Sequence, residues 1–244
     1  MIQYFFMYNI NSKVTIVIRT YNEEVWLDKV LEKISKQTYK AKEVIIVDSE
    51  STDRTLEIAS KYNCKIIKIL KKDFGYSYAL NVGIRKVTTK YILLLSGHSL
   101  PIDNNFIKNG FDIIGTDSQV ASVTGNYYPL ADAPVIERIK HWFFRRFPNR
   151  NIREDYHKWL SNTNAMIRKD LWDIYNFDED IEMCEDYDWA VKMLQQGYNC
   201  IRDPKFSVFH SHYHIKNAKT YQEMQPIWQK AITEIDNKRA NKNR

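Results

Sequence analysis

His98 ends the run Tyr91-Ile-Leu-Leu-Leu-Ser96-Gly97-His98, in which an apolar segment passes straight into a short polar turn. A segment apolar at every position reads as a strand buried on both faces, the kind found in parallel sheets. Ligands of such sheets gather outside the carboxyl ends of the strands, so Ser96, Gly97 and His98 stand where chemistry is expected. A neutral imidazole there can ligate a divalent metal, although a histidine can also do no more than close a strand. His210 and His212 lie two residues apart after the predicted strand Phe206 to Phe209, so their rings point in similar directions. Glu185 and Asp186 put adjacent carboxylates at the predicted start of a helix that ends at Gln196. Such a pair can raise one pKa, and a carboxylate in reach of a hydroxyl can take its proton, contributing ~10²–10⁴-fold. The same two residues would also serve as ordinary N-terminal helix charges. Asp48 can accept hydrogen bonds from a base or ribose, and Tyr21 can stack or donate. Turn chemistry and core packing are their everyday alternatives.

The first half of the chain alternates strand and helix signals that would position these groups. Val14 to Arg19, Val44 to Val47, Lys65 to Ile69 and Tyr91 to Leu95 read as strands. Helices are predicted from Asn22 to about Gln37, from Asp53 to Tyr62 behind a Ser51 or Thr52 cap, and from Tyr76 to Val87. This β-α-β-α-β-α-β order implies right-handed crossovers and a doubly wound, mostly parallel sheet. Thr20-Tyr21-Asn22-Glu23, Asp48-Ser-Glu-Ser-Thr-Asp53 and Ser96-Gly97-His98 then all open on one sheet edge.

The second half is less regular. Phe106 to Gly115 reads as a helix, Val120 to Thr124 as a strand, Ala133 to Phe147 as a helix and Asn151 to Tyr156 as a loop. A last helix starts near Ile227, and Asn237 to Arg244 reads as a frayed basic tail. The 244 residues, 44% hydrophobic and 27% charged, suit one large α/β domain or one domain with a small appendage. A net charge of +6 favours anionic partners without choosing among nucleotides, phosphates and a membrane surface. Cys64, Cys184 and Cys200 lack metal spacing and are odd in number, which fits a reduced, cytoplasmic setting. No signal peptide is read in Met1 to Ile10, and no apolar run reaches membrane-spanning length.

The set Ile18-Arg-Thr-Tyr-Asn-Glu23, Val47-Asp-Ser-Glu-Ser-Thr-Asp53, Phe74-Gly-Tyr-Ser-Tyr-Ala-Leu-Asn81 and Leu95-Ser-Gly-His-Ser99 resembles the family-2 glycosyltransferases. Glu182-Met-Cys-Glu-Asp-Tyr-Asp-Trp189 looks like that family's Glu-Asp motif, and the match extends from about Val14 to His212. The resemblance implies a GT-A fold and an inverting transfer from a nucleoside diphosphate sugar. It implies one domain over residues 1–226, with a nucleotide-binding half over 12–100 and an acceptor half over 101–226, then a helix and basic tail over 227–244. By the same resemblance Thr20, Tyr21 and Asp48 hold the nucleoside, and Asp186 is the base with Glu185 beside it. Glu23, Asn81, Ser96 and Gly97 fall in the matching runs and join the nucleotide-sugar set. Ser96-Gly97-His98 takes the place of the family's Asp-x-Asp metal motif, so Ser96 replaces a hard oxygen ligand and His98 supplies an imidazole. His210 is the favoured further ligand, with His212 close behind. A histidine-rich site suits Mn²⁺ over Ca²⁺, and the implied cofactor is Mn²⁺ or Mg²⁺.

The implied partners are a dTDP- or UDP-sugar and a glycan or lipid-linked acceptor, with no nucleic acid. Likeness to rhamnosyltransferases of bacterial surface polysaccharides favours dTDP-rhamnose. A nucleotidyltransferase on a similar sheet would want a glycine-rich basic loop after the first strand, and Arg19-Thr-Tyr-Asn-Glu-Glu24 has no glycine. A non-catalytic nucleotide-sugar binder would explain Ser96 but not the intact Glu185-Asp186 pair. Ile136, Ile139, Phe143 and Phe147 share one face of the predicted 133–147 helix, with Arg138, Lys140, Arg145 and Arg146 around it. Such a stretch suits either a helix packed on the sheet or peripheral contact with an anionic membrane.

Overall fold

The apolar runs become strands buried on both faces. In the computed structural model, which describes residues 8–136, 138–139, 160–210, 212 and 221–242, β1 (Val14–Thr20), β2 (Val44–Asp48), β3 (Lys65–Lys68) and β4 (Tyr91–Ser96) pair in parallel in the order β3-β2-β1-β4. The sheet continues through β8 (Asn164–Arg168), antiparallel to both its neighbours, then β6 (Val120–Thr124) and β9 (Asn199–Arg202). Side chains alternate between two cores, as a period of two requires. Ile16, Ile18, Leu93 and Leu95 face one, and Val17, Ile92 and Leu94 face the other. The first core is covered by α1 (Leu27–Ser35), α2 (Thr55–Lys61) and α4 (Phe106–Thr116). The second is covered by α3 (Tyr76–Ile84), α5 (Lys169–Ile174) and α6 (Glu185–Gln195). The strand order reverses between β1 and β4, and open α/β sheets bind ligands outside the carboxyl ends at such a point.

A second sheet of three short strands, β5 (Leu100–Pro101), β10 (Val208–Phe209) and β7 (Tyr127–Tyr128), stands beside this edge. The predicted strand from Phe206 is shortened because Pro204–Phe206 forms a 3₁₀ turn. That turn packs against the end of β6. A Cβ on Gly125 would fall 1.5 Å from the Phe206 carbonyl oxygen, so only glycine lets the two backbones meet.

Two helices start later than their sequence signals. The backbone N–H groups of Asn22, Glu23 and Glu24 donate to Ser51 Oγ, Thr55 Oγ1 and Asp53 Oδ2 at 2.9, 2.7 and 3.0 Å. Those bonds zip the loop after β1 to the loop after β2, and α1 begins only at Leu27. The second helix starts at Thr55, whose N–H donates to Asp53 Oδ1 at 3.0 Å, while Ser51 is taken by Asp48. Gly197, at φ +83°, follows the end of α6 as predicted.

The predicted 133–147 helix begins in the described residues: the Arg138 N–H donates to the Pro134 carbonyl at 3.2 Å. Its residues from 140 onward, and the predicted loop from Asn151 to Tyr156, lie outside the described residues. The last helix, α7 (Tyr221–Lys242), starts earlier than the Ile227 signal and runs through the segment predicted to fray. The reason is a polar clasp on α6. The Tyr187 hydroxyl donates to Asp236 at 3.0 and 3.1 Å, and Arg239 donates through Nε and Nη2 to Asp188 Oδ1 at 3.0 and 2.6 Å. Asp188 is buried, and Lys192 Nζ, 2.8 Å from its other oxygen, shares its charge with Arg239. The same helix packs Ile235, with Ile232 beside it, against Tyr187 and Val191 of α6, so the tail is held by apolar burial as well as by its charges.

Candidate active site

The turn after β4 carries the densest cluster of ligating groups. The His98 Nδ1 lies 2.9 and 3.0 Å from the two carboxylate oxygens of Glu23, and both side chains are buried. A proton on Nδ1 donated to Glu23 leaves Nε2 with its lone pair, the arrangement by which a carboxylate orients a metal-binding histidine. The His210 ring stacks on His98 at 4.5 Å, and its Nδ1 lies 3.1 Å from Ser99 Oγ. Its Nε2 is 3.1 Å from His212 Nε2. The ligating atoms of His98, His210 and His212 all lie within 4.8 Å of one another. Two nitrogens each bound at ~2.1 Å to a common cation sit about 3 Å apart, the spacing of the His210–His212 pair, and with His98 the three imidazoles form a group that could hold a divalent metal. The structure brings His210 and His212 together equally and does not choose between them.

Gly97 has a reason to be glycine. A Cβ there would meet Glu23 Cγ at 2.7 Å and Cδ at 2.9 Å. The Glu23 side chain crosses the bare backbone of the turn to reach His98. Glu23, expected among the nucleotide-sugar residues, places its carboxylate against His98. Ser96 places its hydroxyl 3.3 Å from the His98 ring.

Asn81 was expected in the same set. It is buried in α3, and its Nδ2 donates to the Phe177 carbonyl and to Glu179 Oε1, both at 2.8 Å. It braces α3 against the segment before α6. Asp48 is fully buried at the end of β2. It accepts from Thr20 Oγ1 at 3.0 Å, the Ser51 N–H at 2.9 Å and Ser51 Oγ at 2.5 Å. Thr20 and Asp48 thus join the first two loops. Tyr21 keeps 42% of its surface exposed at the crevice rim. Lys71 donates to its hydroxyl at 2.6 Å and lies over its ring at 4.5 Å.

Across the crevice stands the carboxylate pair. Asp186 accepts from the Asn162 and Tyr187 N–H groups at 3.1 and 2.9 Å, and Asn162 Nδ2 donates to Glu185 Oε1 at 2.9 Å. Burial, and then the neighbouring Glu185 charge, push the Asp186 carboxyl up to about 7, against the pull of those two N–H groups and of Arg19. Cys184, just before the pair, holds φ at 65°, a left-handed turn uncommon for a non-glycine residue. The Ser96 N–H donates to the Thr163 carbonyl at 3.3 Å, so the histidine turn and the Asn162 loop that steadies Asp186 are neighbours. Arg19, Ser99, Lys71 and Asn162 contribute here without having been singled out by sequence. Arg19 and Ser99 stood inside quoted motifs, whereas Lys71 and Asn162 carry no local signal.

Known proteins share this arrangement of elements. The mannosyltransferase PcManGT from Pyrobaculum calidifontis, solved in complex with GDP-Man and Mn²⁺, superposes with a TM-score of 0.65 at 19% identity, covering 93% of this chain and 71% of that one. Glucosyl-3-phosphoglycerate synthase from Mycobacterium tuberculosis, solved with Mn²⁺, UDP and glucosyl-3-phosphoglycerate, gives 0.63 at 13% identity, covering 91% and 78%. The fold is therefore GT-A. In sequence, the O-antigen chain rhamnosyltransferase RfbN of Salmonella typhimurium is 29% identical over 210 residues, 82% of this chain and 67% of its own length. WbaN of Salmonella anatum, likewise an O-antigen chain rhamnosyltransferase, is 26% identical over 209 residues, 81% and 66%. The chain thus spans about two thirds of the length of these relatives. Glycosyl transferase family 2 matches residues 15–174, well over half of the sequence. With the fold and the strand-end crevice in agreement, the chain belongs to glycosyl transferase family 2, enzymes that transfer a sugar from a nucleotide sugar.

Proposed function

We propose that this enzyme moves one sugar, with inversion, from a nucleoside diphosphate sugar to a hydroxyl of a glycan or lipid-linked acceptor in bacterial surface-polysaccharide synthesis. The observation that carries the reading is the meeting of two groups at one sheet edge: the histidine cluster after β4 and the Glu185–Asp186 pair at the start of α6. Tyr21 lines the nucleoside side, and Thr20 and Asp48 set the loop that presents it. His98, His210 and His212 would hold a divalent cation, Mn²⁺ or Mg²⁺, which would supply positive charge to offset that of the departing diphosphate. Asp186 takes the proton from the acceptor hydroxyl as that oxygen attacks from the face opposite the leaving group. One carboxylate therefore suffices, and the configuration inverts.

A deoxyhexose donor, dTDP-rhamnose, is favoured over UDP-hexoses because the two Salmonella relatives are named rhamnosyltransferases. A panel of nucleotide sugars tested by thermal shift, with and without Mn²⁺, checks this. A bound donor stabilises by mass action, so dTDP-rhamnose with Mn²⁺ should raise the melting temperature most. No shift from any nucleotide sugar, with the metal present, would remove the donor assignment.

The lipid-linked acceptor is supported by the start of the 133–147 helix. Val135, Ile136 and Ile139 are 61%, 61% and 56% exposed rather than packed on the sheet, with Arg138 among them. Apolar groups on a basic helix suit shallow insertion among anionic headgroups. The protein should sediment with anionic vesicles at low salt and release at high salt, and Ile136→Ser with Ile139→Ser should weaken that binding. Failure of the wild type to sediment at low salt points to a water-soluble acceptor. No described helix is long and apolar enough to cross a membrane.

A further inference from the structure

Arg19 stands between the two halves of the site. It lies on β1 one residue before Thr20, in register with Val47 of β2 and Ser96 of β4. Its side chain is 19% exposed, and Nη1 lies 3.8 Å from Glu185 Oε1. The same Nη1 donates to the Tyr76 carbonyl at 3.4 Å, and the guanidinium carbon sits 5.0 Å from the centre of the Tyr76 ring. A strand, an ion pair, a carbonyl and an aromatic face therefore fix one cation. Guanidinium does not deprotonate in proteins, so this charge is constant across working pH.

The groups that face Asp186 come from several elements. Glu185 is its neighbour on α6, and the Cys184 thiol before it is pushed up to about 12 by burial and stays neutral. Asn162, ahead of β8, offers its N–H to Asp186 and its amide to Glu185. Arg19 arrives from β1 and α7 clasps the following residues, Tyr187 and Asp188. Among these, Glu185 opposes ionisation of Asp186 while Arg19 and the N–H groups assist it.

We propose that Arg19 is a positioning residue for the base: it pins Glu185 beside Asp186, and its fixed charge sets the pH at which Asp186 becomes able to accept a proton. This rests on the reading of Asp186 as the base. Geometry carries it, since no other strand in the crevice brings a cation to that pair among the described residues. Arg19 touches no reacting atom in this role: it contacts Glu185, and its charge favours the ionised form of Asp186 across that contact.

Carboxyl-carbon NMR of the protein alone tests this without any substrate. The Asp186 resonance is assigned by its loss in Asp186→Asn, and its titration midpoint is followed in wild type, Arg19→Met and Arg19→Lys. Arg19→Met should move the midpoint upward by about half a pH unit or more, a roughly threefold loss of ionised Asp186 below it. Arg19→Lys keeps the charge and should stay near wild type, which also guards against a folding defect in the methionine variant. An unmoved midpoint in Arg19→Met, or an equal displacement in both variants, overturns the inference. Sustained turnover by Asp186→Asn would instead overturn the base reading, so the two failures are distinct.

Discussion

Asp186→Asn will lower turnover by ~10²-fold or more while donor affinity stays within about twofold. Asparagine keeps the shape but has one acceptor oxygen where the carboxylate uses two, so it retains one of the bonds from the Asn162 and Tyr187 N–H groups and cannot take a proton. Wild-type turnover should climb as pH rises through about 7, because the base works only when ionised. The stability effect has the opposite sign. Burial raises this carboxyl from 3.8 to about 7 in the folded state, so the folded protein holds a proton that the unfolded chain has released. Stability from this group is complete below the unfolded value and is lost as pH rises toward about 7. Asp186→Asn removes that loss, and its melting temperature should exceed the wild type's under mildly alkaline conditions while matching it in acid. Paired melts and rates at the two pH extremes measure both effects. Near-wild-type turnover in the variant would hand the role to Glu185.

The second large effect is expected at His98. Its Nδ1 is committed to Glu23, its ring is stacked on His210, and it belongs to the group of three imidazoles whose ligating atoms lie within 4.8 Å of one another. His98→Ala should weaken Mn²⁺-dependent donor binding by ~10²-fold, in line with loss of an oriented ligand. The fold should suffer less. Glu23 is left buried without its imidazole, which costs about 1–3 kcal/mol, and water can enter the space to reduce that. Isothermal calorimetry of donor with and without Mn²⁺ separates the two effects. Unchanged affinity together with an unchanged metal response would dismiss His98 as a ligand.

The parallel half of the fold was legible because its strands declare themselves. Val44 to Val47 and Tyr91 to Leu95 are apolar at every position, and the structure buries both of their faces. The strands β8 and β9, the short β5 and β7 and the helix α5 were not read. Asn164-Ala-Met-Ile-Arg168 and Asn199-Cys-Ile-Arg202 mix polar and apolar residues, and strands of two residues carry no periodicity. The start of α1 was misplaced because bonds from Asn22, Glu23 and Glu24 to a loop some thirty positions away outweigh a local capping preference. Within the site, the histidines and carboxylates were visible by residue type. The use of Glu23 was not, since nothing nearby in sequence announces that its partner is His98. The bonds of Asn81 to Phe177 and Glu179 were not legible either, because those partners lie almost a hundred positions away in sequence.

The crossing of Gly97 by Glu23 makes two distant positions into one locus for mutation. A side chain at 97 cannot be accommodated while the glutamate occupies that space, with Cγ only 2.7 Å from where a Cβ would stand. Shortening Glu23 first would free the space but leave His98 without its carboxylate. The order of substitutions therefore matters, and the two changes cannot be additive. A lineage that exchanges His98 for a carboxylate ligand loses the reason to keep Glu23, and with it the reason to keep Gly97 bare. A side chain at position 97 is therefore tolerated only in a variant whose Glu23 no longer crosses the turn, so the tolerance of one position is set by the residue at another.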